Sequence, residues 1–347
     1  VEKTGDNQVI KFYLEALNDN FLPEKEELIK KSIDVLLEIV LNPIIENGKF
    51  NEEYLKSEKA NLSQLIQAKI DNKDLYAFEK CTEEMYKEKP YSLYKYGYAE
   101  DLEKLTSEEM YNYYKELLAK SKIDIFVSGE FNEKEIVGII ENNENIKKLN
   151  EREPNNIVNR EENEKKEKVE TPKVLEEKMN VTQGKVVIGM EILNMKKDER
   201  FVATLYNTIL GDSANSKMFQ NVREKAHLAY SARSTYIRPK NDIIIRCGIE
   251  IENYEKALEI INEQIKDMQK GNFTEEDITS AKKYIISAIN SVTEEQDTEI
   301  TYYLGQELAG TNCGLEEYKE NIEKVSKEQI QDIANRVQIN TIYFLRN

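Results

Sequence analysis

Residues 50–59 read FNEEYLKSEK, and residues 273–282 read FTEEDITSAK, an ungapped match at a shift of 223 positions. Further along the chain, LEKLTSEEM at residues 102–110 matches IEKVSKEQI at residues 322–330, at a shift of 220 positions. Short-period solenoids repeat every 20 to 50 residues or so, and this period is far longer. The sequence therefore predicts two copies of one domain-sized unit.

Both copies are predicted to contain the same elements in the same order. Each begins with a stretch that alternates apolar and polar residues, which is typical of a strand, and continues with amphipathic helices. Mixed strands and helices without regular βαβ alternation favour an α+β fold. We expect two homologous α/β-sandwich domains, each with a mainly antiparallel sheet and helices packed on one face. The predicted elements, first copy then second, are strands 9–17 and 243–251, helices 26–41 and 254–269, helices starting after Asn51 and Thr274, helices with capping boxes at Thr106/Glu109 and Ser326/Gln329, and closing strands 123–128 and 342–345.

The two copies are predicted to be separate domains, residues 1–149 and 174–347, joined by a linker at residues 150–173. The linker, NEREPNNIVNREENEKKEKVETPK, is rich in charge, contains two prolines and has almost no apolar periodicity. Such a segment buries too little apolar surface to order itself. The second copy runs about fifty residues before its strand at 243–251, whereas the first starts almost at its own strand. We therefore expect the first domain to lack its N-terminal strand and helix.

Composition excludes several classes of partner. The 347 residues include 66 acidic and 49 basic side chains, a formal net charge of −17, which disfavours nucleic acids and anionic membranes. No apolar run approaches the length of about 18 residues that a membrane span needs, and no signal peptide opens the chain. The three separated cysteines indicate reduced thiols rather than a disulfide framework. The expected location is the cytoplasm.

The run ILGDSANSKMFQNVREKAHLAYSARS at residues 209–234 resembles the C-terminal-domain signature of the M16 zinc metallopeptidases, the family of pitrilysin, insulinase and the mitochondrial processing peptidase. The resemblance extends over nearly the whole chain and is strongest to bacterial homologues of the inactive-domain type. From the residues alone, Arg223 would be an exposed arginine and Tyr230 a half-buried tyrosine, in a helix at 216–225 and a strand at 229–237. The resemblance implies instead that Arg223 and Tyr230 bind a peptide substrate.

Zinc hydrolysis in this family requires an H-x-x-E-H helix, and His227 is the only histidine of the chain. The family's third ligand is a glutamate that ends a helical pattern, which here reads EKANLSQL at residues 58–65. Glu58 fits the start of that pattern and is interpreted as a solvated charge, but Leu65 occupies the ligand position. We therefore expect no metal ligand and no catalytic residue in this chain, with zinc on a catalytic partner.

Three functions remain open. The leading hypothesis is the non-zinc subunit of a heterodimeric zinc metalloendopeptidase, inactive alone, which binds an extended peptide at a sheet edge. Its partner would be a zinc-bearing M16 subunit, or a second copy of the chain in a homodimer. The second hypothesis is a non-catalytic binding or scaffold protein with the same fold. The third is a self-sufficient zinc peptidase whose H-x-x-E-H motif lies in the missing N-terminal segment.

Overall fold

The computed structural model describes residues 1–155 and 166–347 and divides into two compact units. The first unit contains residues 1–3, 7–67 and the described residues from Lys95 to 155. The second contains residues 4–6, 68–94 and the described residues from Lys166 onward. Residues 156–165 of the predicted linker lie outside the described residues. The division into domains at 1–149 and 174–347 stays a prediction.

Within the described ranges the regular elements are as follows. The strands are β1 (Glu2–Thr4), β2 (Asn7–Val9), β3 (Ile45–Glu46), β4 (Lys49–Phe50), β5 (Lys173–Lys178), β6 (Gly184–Ile192), β7 (Ala229–Ile237), β8 (Asp242–Ile249) and β9 (Val337–Arg346). The α-helices are α1 (Leu28–Leu41), α2 (Glu52–Ala68), α3 (Lys73–Met85), α4 (Ala99–Lys104), α5 (Ser107–Lys120), α6 (Glu133–Asn142), α7 (Glu144–Asn150), α8 (Arg200–Asn207), α9 (Tyr254–Gln269), α10 (Glu275–Asn290), α11 (Gln296–Leu308), α12 (Leu315–Glu323) and α13 (Lys327–Arg336). Two π-helical segments, Thr208–Asp212 and Met218–Lys225, lie between α8 and β7.

The second unit is built on a five-stranded sheet with the order β5-β9-β6-β8-β7. Its neighbouring strands are antiparallel except for the parallel pair of β5 and β9. Alternate residues of β6, among them Val186, Ile188 and Met190, are buried in one core with apolar side chains of α8, α9, α10, α12 and α13. The α+β fold with a mainly antiparallel sheet is confirmed.

Helix α3 covers the opposite face of the same sheet, which we call the α3 face. Ala77 and Cys81 of α3 pack there against Val187, Ile244 and Tyr343. Burial raises the pKa of the Cys81 thiol to about 12, so this thiol is an apolar packing group rather than a nucleophile. The sheet is therefore buried between several helices on one face and α3 on the other.

Local sequence signals predicted several helices correctly. The predicted helix at 254–269 is α9, and the predicted helix at 26–41 is α1, which begins two residues later. Both predicted capping boxes form: the side chains of Thr106 and Ser326 accept from the main-chain N–H of Glu109 and Gln329, whose side chains accept in return.

Two predicted strands of the first copy are wrong. In the described structure β2 ends at Val9, and neither residues 10–17 nor residues 122–128 contain a strand. A strand requires a hydrogen-bonding neighbour, and alternation specifies only the two faces of a strand, not its partner. The equivalent strands of the second copy do form, as β8 and as part of β9.

The end of the predicted linker is bound to the second unit. Lys166 Nζ donates to the main-chain oxygens of Lys240 and Asn241 at 2.7 and 2.9 Å, and it also contacts the carboxylate of Asp242. The main-chain N–H of Val169 donates to the Gln338 side chain at 2.9 Å. These contacts fix the chain ahead of β5.

Candidate functional site

Arg223 lies on the exposed side of the π-helical segment Met218–Lys225. Met218 and Val222 of this segment are buried in the core, which directs Arg223 outward. The guanidinium carbon lies 4.6 Å from the centre of the Phe219 ring, and Nε is 3.5 Å from Glu224 Oε1. π-Helical turns recur at functional sites. The predicted helix at 216–225 is confirmed, beginning at Met218.

A tight turn connects this segment to β7. His227 has a left-handed backbone, with φ of 54°, and its N–H donates to the carbonyl of Arg223 at 3.2 Å. The N–H of Leu228 donates to the carbonyl of Val222, also at 3.2 Å. Both bonds satisfy carbonyl groups at the end of the helical segment. His227 is thus an exposed turn residue, and its main chain holds Arg223 at a fixed position relative to β7.

Tyr230 occupies a β-bulge at the start of β7. Ala229 pairs with Ile249 of β8 and Ser231 pairs with Gly248, so Tyr230 is the extra residue between two consecutive pairs. Its side chain is 61% exposed. Strand β7 is the last strand of the sheet order, and the predicted strand at 229–237 is confirmed. A bulge next to an edge is a common device for turning one side chain away from the sheet.

The Tyr230 hydroxyl donates a hydrogen bond to the carboxylate of Glu250, the residue that follows β8. This hydrogen bond, together with the negative charge of Glu250, raises the pKa of Tyr230. The phenol therefore stays protonated, and its single hydrogen is directed at Glu250. Towards any other molecule the pair of Tyr230 and Glu250 presents oxygen lone pairs, which accept hydrogen bonds.

Arg223 and Tyr230 therefore lie on the two sides of one turn. The sequence interpretation did not identify Glu250, the hydrogen-bond partner of Tyr230. The alternation at 243–251 predicted the strand that precedes Glu250. It did not predict that this strand pairs with β7, and only that pairing brings Glu250 to Tyr230.

The described residues at the position expected for a zinc ligand do not offer one. Leu65 lies on α2, is 53% exposed and has no lone pair to offer a metal; Glu58 on the same helix is also exposed. Across residues 1–155 and 166–347, no group of three or more His, Cys, Asp or Glu side chains is arranged to hold a metal ion. In the same residues, no helix combines the length and the apolar character needed to cross a bilayer.

Comparison with known proteins identifies the family. The family model described as the peptidase M16 inactive domain matches residues 104–285. A Bacillus subtilis protein named probable inactive metalloprotease YmfF is 34% identical over 348 residues, which cover 99% of this chain and 79% of that protein. A second B. subtilis protein, named uncharacterized zinc protease YmfH, is 25% identical over 207 residues, or 58% of this chain and 46% of that protein.

Solved structures have the same fold. A conserved protein from Enterococcus faecalis V583 superposes with a TM-score of 0.81 at 24% identity, over 95% of this chain and 77% of that one. A peptidase M16 inactive domain from Pseudomonas fluorescens superposes with a TM-score of 0.70 at 17% identity, over 93% of this chain and 75% of that one. At these identities the structures show the fold, while the family match and the 34% identity establish descent. The chain belongs to the peptidase M16 family and is of its inactive-domain type.

Proposed function

We propose that this chain is the non-zinc subunit of a two-chain M16 peptidase, which binds the peptide while a zinc-bearing M16 partner hydrolyses it. The observation that carries the proposal is the exposure of Arg223 and Tyr230 on one turn beside the edge strand β7. The proposal also rests on the interpretation of the 58–65 pattern, in which Leu65 occupies the position of the glutamate ligand of zinc-binding family members.

The edge of the sheet favours an extended peptide as the ligand. Strand β7 is nine residues long and ends the sheet, so in the described structure one row of its N–H and C=O groups faces no other strand. An extended peptide satisfies such groups by adding a strand, and its alternate side chains then lie on the same two faces as those of β7.

Arg223 and Tyr230 complement the two kinds of hydrogen-bonding group in a peptide backbone. The guanidinium of Arg223 offers only donors, which suit a peptide carbonyl. Tyr230, with its own hydrogen directed at Glu250, offers an acceptor for a peptide N–H. In this arrangement Tyr230 orients the substrate, and stabilisation of the oxyanion falls to the zinc-bearing partner.

The similarities to known proteins support a division of labour between two chains. This chain is similar both to a relative named a probable inactive metalloprotease and to a relative named a zinc protease from the same organism. A chain of the second kind would supply the H-x-x-E-H motif, with its zinc ligands and general base, which the 347-residue sequence with its single histidine does not contain.

The test is to measure zinc content and peptide cleavage for the full-length protein alone, for a zinc-bearing M16 protein alone, and for their mixture. We expect cleavage of a fluorogenic peptide to rise at least about tenfold in the mixture, a transition-state contribution of about 1.4 kcal/mol. Arg223→Ala and Tyr230→Phe should abolish most of that increase. Lys225→Ala in the same helical segment and Tyr303→Phe on α11 are the matched controls and should retain it.

Two outcomes would reject the proposal. Stoichiometric zinc and hydrolysis in the lone protein would make it a self-sufficient peptidase. A mixture that cleaves no faster than the zinc-bearing protein alone would favour a binding or scaffold role without catalysis.

A further inference from the structure

Three basic side chains lie together on the α3 face, at the end of the sheet next to Tyr230. Strand register places Arg246 of β8 directly opposite Arg233 of β7, and it places Gly248 opposite both Lys185 of β6 and Ser231 of β7. Residues directly opposite each other share a face, as do residues two apart on one strand. We call Lys185, Arg233 and Arg246 the basic end of the sheet.

The two arginines share one carboxylate oxygen. Arg233 Nη2 and Arg246 Nη1 lie 3.2 and 3.3 Å from the same atom, Oδ2 of Asp74 on α3. Like charges directly opposite on neighbouring strands repel each other. Burial and the charge of Arg233 lower the pKa of Arg246, and Arg246 Nε is buried without a hydrogen-bond partner among the described residues. Asp74 therefore leaves much of the donor capacity of the pair unused.

A glycine brings the third cation to the same place. A Cβ added to Gly248 would lie 3.2 Å from Lys185 Nζ and 2.9 Å from Gln183 Oε1, so both polar groups extend over the glycine. Glycine inside a strand commonly marks such a close approach. Arg233 is 55% exposed and Arg246 is 18% exposed, so the cluster is open to solvent on the β7 side.

The two arginines outnumber the carboxylate that they share. Asp74 is the one carboxylate within ion-pair distance of either arginine among the described residues, and Lys185 donates to the side chain of Gln183 instead of to a carboxylate. A second carboxylate would relieve the repulsion between the arginines, and a guanidinium can pair with a carboxylate through two parallel hydrogen bonds. The chemistry of the site thus matches a carboxylate better than a neutral group.

We propose that the basic end of the sheet is a subsite for a carboxylate of the bound peptide. This rests on the proposed function, because a peptide that adds to β7 has alternate side chains on the α3 face, beside Ser231 and Arg233. A peptide residue opposite Arg233 then forms a cross-strand pair with it. The carboxylate comes either from an acidic side chain at that position or from a peptide C-terminus that ends there.

Four labelled decapeptides of serine, alanine and valine test the proposal by fluorescence anisotropy with the full-length protein. They carry a central Asp or Asn, and each is made with a C-terminal acid and a C-terminal amide. We expect a carboxylate to tighten binding about fivefold, the upper range for a cross-strand ion pair. If the Asp amide peptide binds more tightly than the Asn amide peptide, the subsite takes a side-chain carboxylate. If only the peptides with a C-terminal acid bind more tightly, the subsite takes the peptide C-terminus.

Variants separate the subsite from peptide binding in general. Arg233→Gln should remove the preference for the carboxylate and leave binding of the Asn amide peptide unaffected. Lys256→Gln, the same charge change at an exposed position of α9, should alter neither. Asp74→Asn removes the competing carboxylate, so the acidic peptide should bind more tightly. A merely structural Asp74 would not give that gain.

The outcomes are distinguishable from failure of the proposed function. If none of the peptides binds, peptide recognition by this chain fails. If all four bind equally, or if the preference survives in Arg233→Gln, the peptide function stands and the carboxylate subsite is refuted.

Discussion

Replacement of Lys166 by methionine is predicted to destabilise the second unit strongly at pH 8 and much less at pH 5. Asp242 is 0% exposed, and its carboxylate accepts hydrogen bonds from Lys166 Nζ and from the hydroxyl of Tyr86. Lys166 also holds the main-chain oxygens of Lys240 and Asn241. Methionine retains most of the apolar stem of lysine but removes the charge and all three donors.

The magnitude follows from the burial of Asp242. Burial raises the pKa of this carboxyl from 3.8 to about 6, against the opposing effects of Lys166 and Tyr86. At about 1.4 kcal/mol per pKa unit, the difference is worth about 3 kcal/mol. Because the folded-state pKa is the higher one, this contribution to stability is complete below about pH 4 and is lost as the pH rises through about 6.

At pH 8 the charged Asp242 carboxylate therefore destabilises the folded state, and Lys166 is its hydrogen-bonded counter-charge. Glu191 adds to the unfavourable potential, and Lys240 pairs with Asp6 at 3.2 Å. Without Lys166, the unpaired buried charge should cost about 3–5 kcal/mol. At pH 5 most of the carboxyl is protonated in the folded state, so the loss should fall to about 1–2 kcal/mol, the contribution of the hydrogen bonds from the ammonium group to the main-chain oxygens of Lys240 and Asn241.

Hydrogen exchange of β8 amides, read by mass spectrometry and corrected for intrinsic exchange rates, measures the opening free energy at both pH values. Lys168→Met, two residues away and exposed, is the control and should change it by less than about 0.5 kcal/mol. An equal loss at pH 5 and pH 8, or a loss below about 1 kcal/mol at pH 8, would refute the account.

Three further predictions concern packing in the second unit. Gly211→Ala should lower the free energy of unfolding by about 1–3 kcal/mol, because the added Cβ would lie 2.6 Å from Ser234 N. Gly305→Ala should raise it by about 0.5–1 kcal/mol, because Gly305 lies within α11 and an added Cβ there meets open space. Urea unfolding that ranks the two variants in the opposite order would contradict this. Tyr206→Phe removes a buried hydroxyl that has no partner in the described structure, so thermal unfolding should show a gain of about 1 kcal/mol, and a lower Tm would contradict it. Ser326→Ala should cost about 1 kcal/mol in urea unfolding through loss of the capping box, and an unchanged midpoint would show that the cap contributes nothing.

Features set by local sequence were predictable. The capping boxes at Thr106 and Ser326, helix α9 and strand β7 all appear where their patterns placed them. In each case the signal and the structure involve the same few residues. Strand alternation worked for β8 because the neighbours β6 and β7 exist to accept its hydrogen bonds. The alternation at residues 10–17 did not give a strand, because an alternating pattern does not determine whether a neighbouring strand is present.

Features set by long-range pairing were not predictable. The bulge at Tyr230 depends on the register of β7 against β8, which aligns Ala229 with Ile249 and Ser231 with Gly248. The partner of Tyr230, Glu250, and the packing of α3 on the sheet depend on contacts far apart in sequence. The resemblance to M16 peptidases supplied Arg223 and Tyr230 as candidates, but a resemblance carries no information about which hydrogen bond a hydroxyl makes. Their role in binding stays a prediction.

The two ends of the α3 face differ in a way that packing alone does not require. At one end Asp242 and Glu191 lie opposite each other, and the fully buried Asp242 has its own hydrogen-bonded cation, Lys166. At the other end two arginines lie opposite each other and share a single oxygen of Asp74. At the buried end, Asp242 of the acidic pair thus has a cation of its own. At the exposed end beside Tyr230, the two arginines have only one carboxylate oxygen between them. An excess of donors confined to the open end is what a carboxylate ligand would need, and a purely structural cluster gains nothing from it.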